Sequence, residues 1–226
     1  MNKKFLISIF LPILFLALFL NVSYAASTSV TGHKIIIDAG HGGSDSGSTA
    51  CQNLPEKTVN LDIAIRLRNL LQANSANVVM TRIGDATLSN NDRYTLANNS
   101  KGEVLVSIHL NGSTNTLIDG TQGLYGKSNK DKSFTQIMHN SVFSTLKTSS
   151  SHFTDFGITN FASGLLLKTT MPATIQETVF ISNTTECNLL KDGSGIRQQK
   201  IAESLYNGLI NWFSQPQPLP KLPKGN

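Results

Sequence analysis

The sequence predicts an α/β fold, a single domain with a mostly parallel twisted sheet flanked by helices. Two observations carry this. Short β-branched runs (IIID at 35–38, NVVMT at 77–81, EVLVSI at 103–108) alternate with longer segments of helical period. The residues best suited to metal or acid–base chemistry fall at the ends of those runs, where open parallel sheets place their sites.

Each element has its own signal. The first strand opens at His33 and Lys34 and runs to Asp38, and three consecutive isoleucines read as a strand buried on both faces. Residues 39–55 form a Gly/Ser/Asp-rich loop. A helix follows over 56–72, opened by Pro55, with Val59, Ile63, Leu67, Leu70 and Leu71 at helical spacing. Residues 77–81 are a second strand. Ser89 is placed to cap a helix through Ala97, and 103–108 is a third strand. A short strand is expected at 123–125. A helix is expected over 133–146, with Phe134, Ile137, Met138, Val142 and Leu146 on one stripe and His139 on the polar face. The polar stretch 149–163 reads as a loop, 165–168 and 173–176 as strands, and 195–213 as the last helix.

The 226 residues suffice for one good-sized domain, and 39% apolar content supports a packed core. At the N-terminus, Lys3 and Lys4 precede an apolar run over 5–20 and then Ser23-Tyr24-Ala25. That is the three-part pattern of a secretory signal peptide, residues 1–25, cut after Ala25. It predicts export to the periplasm or cell wall, with no stable membrane anchor after cleavage. Residues 26–33 read as a linker, 34–213 as the catalytic domain and 214–226 as a Pro-rich disordered tail. Cleavage removes two lysines and no acid, lowering the net charge from +5 to +3. That is no nucleic-acid footprint, and a monomer is expected. Cys51 and Cys187 are the only cysteines, a possible disulfide in an oxidising setting, although spacing alone leaves their pairing open.

The chemistry gathers at four places. Asp38-Ala39-Gly40-His41-Gly42-Gly43 follows the first strand, Glu56 opens the helix after it, His109 follows 103–108, and Glu177 follows 173–176. Two imidazoles and a carboxylate are a common ligand set for catalytic zinc, with the fourth position left to water. Glycines let the chain turn sharply beside His41, and a helix N-terminus favours the Glu56 carboxylate. Glu177 is then placed as a general base that is no ligand. Taken singly, each is ordinary: a histidine after a strand, a first-turn acid, a glycine turn. The loop also lacks the lysine of a Walker motif and the GxGxxG spacing, which argues against a phosphate cradle.

The sequence resembles the zinc-dependent N-acetylmuramoyl-L-alanine amidases of the Amidase_3 type, bacterial cell-wall hydrolases. The matching segments are IIIDAGHGGSDSGS, EKTVNLDIAIRLRNLL, VVMTRIGDATLSNNDRYTLANNS, VLVSIHLNG and MPATIQETVFISNTTECNLL, in the family's order. The resemblance implies one Zn2+ held by His41, Glu56 and His109, with Glu177 as the catalytic glutamate and peptidoglycan as the partner. It implies hydrolysis of the amide between N-acetylmuramic acid and L-alanine by zinc-activated water. Arg93 matches an arginine usual in the family and, with Asn111, is a candidate substrate contact; the plainer reading of Arg93 is a structural ion pair. The chain departs from the family at Ala39, at Ser46-Gly47-Ser48 and at Val179, and the last bears on the backbone near Glu177. Two alternatives stay open: a non-catalytic peptidoglycan-binding protein that kept the fold, and a zinc peptidase acting on the stem peptide. One clear amphipathic helix, 133–146, lies between His109 and Glu177, so the cleft is expected to be open.

Overall fold

The computed structural model describes residues 30–149 and 152–215. The expected signal peptide, residues 26–29 of the expected linker and residues 216–226 of the tail lie outside the described residues. In chain order the elements are β1 (Lys34–Ala39), α1 (Glu56–Ala73), β2 (Asn77–Met80), α2 (Asn90–Ser100), β3 (Val104–Asn111), β4 (Gly120–Tyr125), α3 (Asp131–Leu146), a 3-10 turn (Lys147–Ser149), β5 (Thr154–Asn160), α4 (Gly164–Lys168), β6 (Ala173–Phe180), α5 (Thr184–Leu190) and α6 (Ile196–Phe213). The strands form one sheet in the order β2-β1-β3-β6-β4-β5. Only the β4–β6 pair is antiparallel.

The alternation of side chains sorts the core into two layers. Ile35, Ile37 and Ala39 of β1 and Val104, Val106 and Ile108 of β3 point to one face. There they pack with the apolar stripes of α1, α3 and α6. Ile36, Leu105, Ala173 and Ile175 point to the other face, against α2 and α4. Asp38, His109 and Glu177 share the parity of this second face. The domain also begins earlier than Lys34, because Val30 is fully buried in the larger core and Gly32 N–H donates to the Ser75 carbonyl. No helix among the described residues is long and apolar enough to cross a membrane.

Several expectations are corrected. Residues 165–168 are helical, not extended: short apolar runs do not reveal their period, and Leu165 and Leu166 bury against α2 and the sheet. The stretch 149–163 contains β5, an edge strand whose mostly exposed residues show no apolar alternation. β3 and β6 run past their expected ends to Asn111 and Phe180, so His109 and Glu177 lie within strands. α5 was not expected; Asn183 caps it, accepting from the Thr185 and Glu186 N–H groups. His139 is fully buried rather than on a polar face, because β5 covers it, and its Nε2 stands 2.6 Å from Asp155 Oδ1.

One buried acid gives a stability prediction. Asp119 precedes β4, and burial, reinforced by the charge of Glu186, raises its carboxyl to about 6. The folded chain therefore keeps a proton that the unfolded chain has already lost, and this contribution to stability disappears as pH rises from about 4 through about 6. Asp119→Asn keeps an acceptor for the Gly120 N–H. By urea denaturation the variant is expected to be more stable than the parent by roughly 1–3 kcal/mol at neutral pH, and nearly equal to it at pH about 3.5. An equal difference at both pH values would refute this account.

Candidate active site

His41, Glu56 and His109 converge at the carboxyl ends of β1 and β3. Each offers one donor atom, and the three atoms lie within 4.8 Å of one another. His41 Nε2 and His109 Nδ1 both stand 3.2 Å from the same oxygen, Glu56 Oε1. Close approach here needs glycine. A Cβ on Gly40 would lie 2.3 Å from His109 Nε2, and one on Gly47 2.6 Å from both Glu56 Oε2 and His41 Cδ2.

The donor set fits a zinc ion. Two imidazoles and a buried carboxylate match catalytic zinc sites in kind and number. The other ring nitrogen of His41 is held 2.8 Å from Asp45 Oδ2, the carboxylate–histidine arrangement that orients metal ligands. Glu56 is fixed by N–H groups of Leu110 (3.0 Å) and Ser48 (2.9 Å) and by the Asn60 amide (3.1 Å). The electrostatics agree. Burial works to lower the His41 pKa, but Glu56 and Asp45 outweigh it and push it up to about 9. Burial works to raise Glu56, but both histidines outweigh it and hold the carboxyl far below its usual range. The carboxylates thus favour positive charge at the two rings, the charge a bound cation would supply.

Two arginines brace the loop that carries His41. His41 itself has φ 59, a left-handed conformation unusual for a residue with a side chain. Arg93 Nη1 donates to Asp38 Oδ1 (2.7 Å) and the Ala39 carbonyl (2.8 Å), and Nη2 to the His41 carbonyl (2.8 Å). Arg82 Nε donates to the Ala39 carbonyl (2.9 Å), and its Nη2 to those of Gly40 and Lys57 (2.8 Å each). Asp38 is buried and also accepts from Thr81 and Ser107 hydroxyls at 2.6 Å each. Burial alone would raise its pKa; Arg93 and these hydroxyls hold it low.

Glu177 lies beside this cluster, directly opposite His109 in the β3–β6 ladder. Burial raises its pKa, helped by Glu56 and opposed by His109 and His41. Two steps along β3 from His109 to Asn111 match three along β6 from Glu177 to Phe180, so β6 bulges between those residues. The bulge turns Val179 into the core and Phe180 to the side of Glu177, which accommodates the valine singled out as a departure.

Residues 35–211 match the N-acetylmuramoyl-L-alanine amidase family. The chain belongs to that family. It is 32% identical over 209 residues to the germination-specific N-acetylmuramoyl-L-alanine amidase of Bacillus subtilis (strain 168), covering 84% of this chain and 83% of that protein. It is 33% identical over 184 residues to N-acetylmuramoyl-L-alanine amidase CwlM of Bacillus licheniformis, covering 80% and 69%. Among solved structures, the catalytic domain of CwlV from Bacillus (Paenibacillus) polymyxa var. colistinus superposes with TM-score 0.73 at 32% identity, covering 80% of this chain and 97% of that one. The chain is accordingly an enzyme, a peptidoglycan amidase.

The remaining candidates of this amidase divide. Arg93 is buried and its guanidinium is engaged by Asp38 and two carbonyls, as an ion pair requires. Asn111 turns its Oδ1 back to the Gly112 N–H at 2.8 Å. Cys51 and Cys187 are bonded, with Cα atoms 5.5 Å apart, which ties the loop before Glu56 to α5 beyond Glu177. A cleft of about 350 Å³ lies beside the histidines, walled by Asn90 and Arg93 of α2 and by Phe161, Ser163 and Leu165. A larger cavity of about 560 Å³ opens past Phe156 and Asn183 and holds none of the clustered donors. Arg82, Asp45 and Asn60 escaped the sequence reading as site residues. The available signal was position: Arg82 follows a strand end on the same sheet edge, and Asp45 stands four residues from His41.

Proposed function

We propose that this amidase cleaves the bond between the lactyl carbonyl of N-acetylmuramic acid and L-alanine, with one zinc ion held by His41, Glu56 and His109 and with Glu177 as general base. The convergence of the three donor atoms beside Glu177 carries this reading. When bound, zinc supplies Lewis acidity toward the scissile carbonyl and acidifies water. Asp45 orients the His41 ring, and the Leu110 and Ser48 N–H groups orient Glu56. Glu177 takes a proton from the attacking water and returns one to the leaving amine nitrogen, so that water and amide become a carboxylic acid and an amine. Its raised pKa suits both halves of that exchange. The same reading includes cleavage of residues 1–25, action outside the cytoplasm and a monomeric enzyme.

Mass spectrometry of digested sacculi tests the bond. Release of intact stem peptides with a free N-terminal L-alanine is expected, abolished by a chelator and restored by zinc. Shortened stems left on muramic acid would mark a peptidase, and absence of any product a binding protein.

A further inference from the structure

On the face that holds Glu177, α2 and α4 cover β1, β3 and the start of β6 as far as Leu124 of β4, whereas β5 lies outside that cluster and is mostly exposed. Register places particular side chains on that open floor. Gln122 pairs with Glu177 across β4–β6, one strand spacing or about 5 Å away. Leu124 pairs with both Ile175 and Thr159, so Thr159 shares the face, and Gln122 Nε2 donates to Thr159 Oγ1 at 3.1 Å. An extra residue in β5 near Gly157 (φ 66) brings Phe156 to the same side. Its ring is 40% exposed and tilts against Phe180, with centroids 5.4 Å apart. Phe161, 50% exposed, stands at the other end and lines the cleft of the two histidines.

We propose that this floor, Gln122 and Thr159 between Phe156 and Phe161, binds the glycan strand of the substrate. The proposal rests on the amidase reading above and adds where the sugars lie. The scissile carbonyl belongs to a lactyl group carried directly on the muramic ring. The first sugar must therefore sit within one or two strand spacings of Glu177, about 5–10 Å. The floor meets that distance and carries no charged side chain. N-acetylated sugars are neutral, with C–H faces that lie on exposed aromatic rings and hydroxyl and amide groups that pair with Gln and Thr. The stem peptide bears carboxylates and amines. The exposed carboxylate of Asp45 lines the cleft on the α2 side instead, where Asp38 and Arg93 are buried and paired with each other.

Calorimetric titration of the zinc-loaded protein with peptide-free N-acetylglucosamine–N-acetylmuramic acid oligomers reads the floor without turnover. The parent is expected to bind them. Phe156→Ala with Gln122→Ala is expected to bind about tenfold more weakly or worse, while affinity for a free stem tetrapeptide changes less than about twofold. Phe156→Tyr keeps the ring and is expected to keep oligomer binding, which separates the effect from misfolding. Failure of the parent to bind oligomers, unchanged oligomer binding in the double variant, or a loss that falls on the stem peptide would each overturn the proposal. A parent that binds oligomers yet releases no stem peptide from sacculi would overturn the function proposed above and leave the glycan floor standing.

Discussion

Glu177→Gln is expected to lower kcat by roughly 10²–10⁴-fold, with KM nearly unchanged. The amide keeps the size and hydrogen-bonding reach of the side chain but has no basic oxygen to take a proton from water. Metal content, measured by atomic absorption, is expected to stay at the parent level, because the donor cluster comprises His41, Glu56 and His109 without Glu177. Stability is expected to move the other way. In the metal-free protein, burial raises the Glu177 carboxyl in the folded chain, so its ionisation opposes folding at neutral pH, and the neutral amide relieves that opposition. A variant that is inactive and metal-loaded, and no less stable than the parent once both are stripped of metal, identifies a proton-transfer group. Metal loss in parallel with activity would make Glu177 a ligand instead, and retained kcat would remove it from the chemistry.

The second large effect belongs to Arg93. Arg93→Met leaves Asp38 buried with its two hydroxyl partners and no ion-pair contact, Arg82 acting on it only at longer range. Removing one partner of a buried ion pair costs about 3–5 kcal/mol. Arg93 holds the Asp38 carboxyl below its usual range, and a depressed acid stabilises the fold above its unfolded pKa, the advantage fading as pH falls through the folded value. The gap between parent and variant is thus expected to be widest at neutral pH and to narrow below pH about 4, as urea denaturation at the two pH values would show. Asp38→Asn in the same chain is expected to recover part of the loss. Zinc affinity is expected to fall as well, because Arg93 also holds the carbonyl of His41, a residue kept in left-handed backbone. If Arg93→Met raised KM and left stability alone, a substrate contact would replace the structural brace.

The strands and helices that could be read from sequence were those with strong local periodicity. β1 and α1 are examples: three isoleucines in a row, and a stripe from Val59 to Leu71 opened by Pro55. Ser89 announced α2 because its cap is local, the hydroxyl accepting from the Asp92 N–H and the Asp92 carboxylate accepting from the Ser89 N–H. β5 could not be read in this way. Its residues are held by a ladder to β4 and by Asp155 reaching His139, both partners distant in sequence. α4 failed for the opposite reason: its apolar run is real, but five residues cannot show whether the period is two or nearly four.

The sequence by itself determined the α/β class, the family and the residue types able to hold zinc, because periodicity and motif are local properties of a chain. Tertiary structure decided everything that depends on approach between distant segments. It closes the bond between Cys51 and Cys187, 136 residues apart, and sets Glu177 opposite His109. It turns Arg93 inward to Asp38, brings Arg82 onto the His41 loop, and reverses β4 so that Gln122 stands beside Glu177. Carboxylates and imidazoles acquire their chemistry from what surrounds them, and for this amidase those surroundings exist only when six strands have paired in one order.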